Sequence, residues 1–206
     1  MTRAIVPVAL GLVALAALAA CSSDNANAVT PSTTSTTLPT STTSDTITAI
    51  ATTAPKVTNP LDASKFLQSP CTALTTSDLD GIAVGDAKVQ SSPSNLGPDC
   101  DWQGGAFGAS GAISISWETI DKNGLSDLYA QRANAYYWIP TTVSGYPAVF
   151  SDPLADLRSQ GSCTINVGVS DSLFFLASTN GAPDANTACS RAQQAAADVI
   201  KNLGGS

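Results

Sequence analysis

Histidine is absent from all 206 residues, and no other absence removes as much chemistry. Without an imidazole there is no Ser-His-Asp arrangement, no histidine general base, and none of the zinc sites that mix Cys with His. Glutamate is scarce too: Glu118 is the single one, and every other acidic side chain is an aspartate. Basic residues number 9 against 16 acidic, for a formal net charge of −7. That sign argues against nucleic acid and against electrostatic attraction to anionic lipid. There is no Gly-x-Ser-x-Gly elbow. Gly104, Gly105, Gly108 and Gly111 have the spacing of a turn and do not open a helix, so no dinucleotide loop is expected. No cofactor, metal site or catalytic residue is assigned. A carboxylate pair is the remaining route to catalysis, with Asp99 and Asp101 on one strand face as its candidates. They support an alternative reading as a hydrolase acting on an envelope glycan.

What is present begins with one long apolar run, Ala4 to Ala20, interrupted only by Pro7 and Gly11. It follows Arg3 and ends in small residues, the three parts of a secretory signal. A membrane-spanning helix usually needs about 20 apolar residues. This run is slightly short and passes straight into a polar tract without a basic flank. Leu18-Ala19-Ala20-Cys21 resembles a bacterial lipobox. The resemblance implies removal of residues 1–20, a diacylglyceryl group on the Cys21 thiol, and a mature chain that begins there. Each buried methylene contributes about 0.8 kcal/mol, and two acyl chains suffice for stable anchoring where one does not. Ordinary cleavage at Ala17-Leu18-Ala19, releasing a secreted protein, is the alternative. The expected location is the extracytoplasmic face of the cell membrane, with the membrane itself the first partner.

Residues 21–59 read as a linker rich in Ser, Thr and Pro, with no apolar periodicity and too little apolar surface to fold. As a coil it spans about 30–35 Å, and fully extended about 115 Å. Residues 60–206 read as one domain of common size.

Within that domain, Thr75 followed by Asp78 makes a helix start. Cys100 and Trp102 alternate with Asp99 and Asp101 as a strand should. Ile113, Ile115 and Trp117 face inward on the next strand, and Leu125, Leu128 and Tyr129 recur at helical spacing. Tyr136 to Pro140 reads as an aromatic connector, followed by short paired strands around Gly145-Tyr146-Pro147. Residues 151–161 read as a polar loop with Leu154 and Leu157 tucked beneath it. Cys163, Ile165, Val167 and Val169 alternate, and Leu173 to Ala177 returns as a strand apolar on both faces, hence central. Asp184 or Asn186 caps a final helix with one buried stripe through Cys189, Ala192, Ala196, Val199 and Leu203. The expected fold class is α+β: an antiparallel sheet of about five to seven strands, the C-terminal helix packed on one face, and two disulfides.

Four cysteines remain after Cys21: Cys71, Cys100, Cys163 and Cys189. An even number in an exported chain reads as disulfides, and four allow three pairings. Cys71–Cys100 with Cys163–Cys189 is the expected set, the second pinning the last helix to a central strand; a Cys71–Cys189 link stays open.

Several of these features together resemble the actinobacterial lipoproteins grouped as domain-of-unknown-function family 3558. They are Cys71 with Leu74-Thr75 and Asp78-Leu79; Cys100-Asp101-Trp102; Val143-Ser144-Gly145-Tyr146-Pro147-Ala148; and Cys163 then Cys189 before an Ala-rich helix. The resemblance implies an exported, lipid-anchored, disulfide-bonded α+β domain and brings no catalytic residues. The functional expectation is a non-catalytic module that binds an envelope lipid or a protein partner. Trp117, Tyr129, Tyr136, Tyr137 and Trp138 are its candidate contacts.

Overall fold

The computed structural model describes residues 53–91, 94–105 and 111–205. Cys21, nearly all of the linker and most of the Gly104–Gly111 turn lie outside the described residues.

Two short helices come first, α1 (Ser64–Gln68) and α2 (Thr76–Gly81). The second begins on a full capping box. Thr75 accepts from the Asp78 backbone N–H, and Asp78 accepts from that of Thr75, so two orphan helix donors are satisfied reciprocally. Three strands follow as a meander: β1 (Lys88–Ser91), β2 (Asp99–Gln103) and β3 (Ala112–Glu118). After α3 (Leu125–Ala130) comes a second meander of β4 (Tyr137–Val143), β5 (Tyr146–Asp152), β6 (Cys163–Ser170) and β7 (Leu173–Asn180). The last element is α4 (Ala185–Asn202), whose N-cap Asp184 accepts from the Thr187 backbone N–H at 2.9 Å.

All seven strands form one antiparallel sheet in the order β1-β2-β3-β7-β6-β5-β4. The two meanders are therefore joined through a single seam, β3 against β7, with Ile115 opposite Ala177 and Trp117 opposite Phe175.

Period-two alternation sends Ile113, Ile115, Trp117, Ile165, Val167, Phe175 and Ala177 to one face, all fully buried. There α4 lays down Ala192, Ala195, Ala196 and Val199, side chains small enough to let the helix lie close to the sheet. Phe66 of α1 closes the same layer against Trp117, with ring centroids 6.2 Å apart, and Trp117 packs on Phe175 at 5.2 Å. Two disulfides staple this layer, Cys71–Cys100 and Cys163–Cys189.

Two expectations change. Tyr137 to Pro140 belongs to β4 and is no connector; β4 is the sheet edge, where the missing Pro140 N–H leaves no ladder bond unmade. Leu154 and Leu157 are not tucked under their loop: they are 83% and 41% exposed, because Asp152 Oδ1 ties up the backbone N–H groups of Leu154 and Ala155 and turns this segment outward. The short α3 packs on the face opposite α4, through Leu125 and Tyr129 against Val149 and Phe174.

Packing also begins ahead of Pro60. Val57 is buried, its N–H donates to Asp171 Oδ1 at 3.1 Å, and Leu61 N–H donates to Val169 O at 2.9 Å. Among the described residues, no helix is long and apolar enough to cross a membrane.

Candidate functional site

The sheet face away from α4 carries Phe174, Leu176 and Ser178 of β7 and Thr164 and Asn166 of β6, the residues that alternate with the core set. Because α3 has only six residues, it covers one end of this face and leaves the rest open. Phe174 is roofed by Leu125 and Tyr129, while Leu176 stays half-buried. The result is a groove of about 470 Å³. Its floor is Phe174 and Leu176; Leu128 and Gln131 of α3 form one wall, the turn at Asp152, Pro153 and Leu154 another, and Glu118, Ile120 and Asp121 at the end of β3 a third. Leu96 completes the rim.

Ligand sites are concave, mostly apolar and fitted with a few polar groups, and the polar groups here are specific. Glu118 is 4% exposed, and its Oε1 accepts from the backbone N–H groups of Ile120 at 2.9 Å and Asp121 at 3.3 Å. Asn166 is buried, and its Nδ2 donates to Val149 O at 3.3 Å and to Ser151 Oγ at 3.1 Å. Thr164 and Ser178 share a hydroxyl hydrogen bond of 2.9 Å across β6 and β7. Burial first, and then the nearby charge of Asp127, push the Asp121 carboxyl above its ordinary value. Among the described residues, no lysine or arginine lines the groove.

The five aromatics singled out from the sequence do not converge on it. Trp117 is buried in the core on the α4 side of the sheet, and its Nε1 has no partner among the described residues. Tyr129 and Trp138 stack edge-on with centroids 4.9 Å apart, in the cluster under α3. Tyr137 is covered by the Arg158 guanidinium at 4.2 Å, and its hydroxyl accepts from Thr164 N–H at 3.3 Å; burial above all raises its phenol. Tyr136 is 66% exposed beside the edge strand.

The residues that do build the groove had weak but legible signals. The strand β7 is apolar on both faces although only one faces α4, the lone glutamate ends a strand, and an asparagine holds one of the outward positions of β6.

Asp99 and Asp101 sit on the same outward face of β2, beyond the groove lining. Asp99 is buried and accepts a hydrogen bond from the Ser116 hydroxyl. Burial, then the charge of Asp99 and a hydrogen bond to it, raise the Asp101 carboxyl. Among the described residues, no group of three or more Cys, Asp or Glu is placed to hold a metal.

A family model described as a protein of unknown function, DUF3558, matches residues 16–202. No curated protein and no solved structure matches the chain.

Proposed function

We propose, from the premise that this chain belongs to the DUF3558 family of proteins of unknown function, that it is a membrane-anchored cell-envelope lipoprotein whose domain is a non-catalytic binding module. The observation that carries the reading is the groove of about 470 Å³. Its rim holds three of the exposed large apolar side chains, Leu154 at 83%, Ile120 at 61% and Leu96 at 38%. Covering such side chains is worth about 1.5–3 kcal/mol apiece, and a ligand seated over the apolar floor would cover them. The anchor rests on the lipobox resemblance at Cys21, with support from the two disulfides, which persist in oxidising compartments.

Native mass spectrometry of the full chain, gently extracted from membranes, tests the binding role. The expected result is a bound small molecule that disappears in Leu176→Trp, where the indole fills the floor. Bare protein in both forms, under conditions that preserve other lipid complexes, counts against it. The hydrolase alternative rests on the Asp99–Asp101 pair. Turnover of an envelope glycan that Asp101→Asn abolishes would favour it.

A further inference from the structure

We infer that the occupant of this groove is an amine-bearing apolar molecule: a hydrocarbon or ring body on Phe174 and Leu176, with a protonated ammonium received by Glu118. The inference rests on the binding reading above and specifies its ligand chemistry.

Hydrogen-bond supply in the groove is one-sided. Both N–H bonds of Asn166 Nδ2 are committed, to Val149 O and Ser151 Oγ. Val149 O can only accept, which fixes the orientation of the amide and leaves Asn166 Oδ1 as the unused acceptor. Glu118 spends Oε1 on two backbone N–H groups; among the described residues no donor reaches its Oε2. Asp152 likewise spends only Oδ1. As whole residues Glu118 is 4% and Asn166 2% exposed. Neither Asn166 Oδ1 nor Glu118 Oε2 is sealed from solvent, since Trp117 Nε1 is the one buried side-chain polar atom without a partner among the described residues. An occupant that covers them must therefore bring donors, because a buried acceptor without one costs about 1–3 kcal/mol, more when charged.

Charge points the same way. Among the described residues, Glu118, Asp121 and Asp152 line the groove and no cationic side chain does. Burial and the neighbouring Asp127 already hold the Asp121 carboxyl up. A carboxylate or phosphate ligand would meet only like charge here, and a neutral alcohol would leave that charge unrelieved. An ammonium supplies three donors and one positive charge to a site short of both. The single glutamate of the chain thus stands where an ammonium would be received, held by backbone N–H groups on one oxygen and open on the other.

The test uses the full chain in phosphatidylcholine nanodiscs and three probes of one length: hexylamine, hexanol and hexanoate. Binding is read by saturation-transfer NMR against empty nanodiscs and against the groove-filled Leu176→Trp chain. Hexylamine should bind at least tenfold more tightly than hexanol, and hexanoate should not bind. Glu118→Gln keeps an oxygen for the Ile120 and Asp121 N–H groups. It should remove most of the amine's advantage and leave hexanol unchanged; Asp121→Asn, on the rim, should remove part of it. Circular dichroism melts of both variants establish that they are folded. Hexanol binding in the groove as tightly as hexylamine, or an amine advantage untouched in both folded variants, overturns the inference while the binding reading stands. No groove-dependent signal from any of the three overturns both.

Discussion

Asn202, in the last turn of α4, donates from Nδ2 to Asp78 Oδ2 at 2.9 Å and to Ala73 O at 2.9 Å. The same Asp78 oxygen accepts from Thr75 N–H at 2.8 Å and the Thr75 hydroxyl at 2.7 Å, so one carboxylate both caps α2 and ties it to the end of the chain. Burial alone would raise this carboxyl. The hydrogen bonds from the Thr75 side chain, the Thr75 backbone and Asn202, with the charge of Lys201, outweigh it and hold the carboxyl below its ordinary value.

A pH dependence follows. A lowered folded value means that the stability from ionised Asp78 is fully present above the unfolded carboxylate range, near 3.9, and is lost as pH falls through the folded value. Asp78→Asn should cost about 1–3 kcal/mol at pH 7, as expected for hydrogen bonds to a charged group. The gap between wild type and variant should narrow below pH about 4. Urea titrations at both pH values check this; a gap constant with pH would mean the carboxylate charge is not what matters.

The two disulfides close loops with sequence separations of 29 and 26. Each should contribute about 3–4 kcal/mol by restricting the unfolded chain. Cys163→Ala/Cys189→Ala should lower stability by about that much, because it frees the first turn of α4 from β6 and leaves the hydrogen bond from Thr179 Oγ1 of β7 to Ala188 O to hold it. Non-reducing peptide maps should yield the Cys71–Cys100 and Cys163–Cys189 peptides and no Cys71–Cys189 species.

Gly161 has φ +82°, and a Cβ there would stand 1.9 Å from Ala182 O. That contact is backbone on backbone, since Gly161 O accepts from Ala182 N–H at 3.1 Å. Gly161→Ala should therefore cost more than about 2 kcal/mol, combining left-handed strain with a displaced strand end. Thermal melts decide it: a variant as stable as wild type would show that the loop relaxes freely.

The proposed anchor makes its own prediction. Intact-mass measurement of membrane-extracted protein should show a chain beginning at Cys21 and carrying acyl chains. Cys21→Ser should move the protein from the membrane to the soluble extracytoplasmic fraction. An unmodified Cys21 thiol on membrane-extracted protein would end the lipoprotein reading.

Much of the fold was legible because its signals are local. The alternation of Cys163, Ile165, Val167 and Val169 is the inner face of β6 read directly from period two. Thr75 with Asp78, and Asp184 ahead of the Ala-rich stripe, mark helix starts by hydrogen bonds that reach only three residues. The candidate site was much less legible. Aromatic residues drew attention because they are large, yet Trp117 is spent on the core and Tyr137 under Arg158. Phe174 and Leu176 looked like the two sides of a central strand, which they are; that one side lacks a full cover cannot be seen from β7 itself. Leu154 read as buried because it is apolar, and Asp152 turns it outward.

The chain's own order of residues determined helix starts, strand faces and the seven-strand pattern within its range, because each depends on spacing along the backbone, and it left three cysteine pairings open. Tertiary structure decided the β3–β7 seam, the placement of α3 on the far face, and the bringing of Glu118 and Asn166 into the lining of one groove over an apolar floor. Those join segments distant in sequence, and which of many possible faces meet is set by packing of the whole, not by any stretch of it.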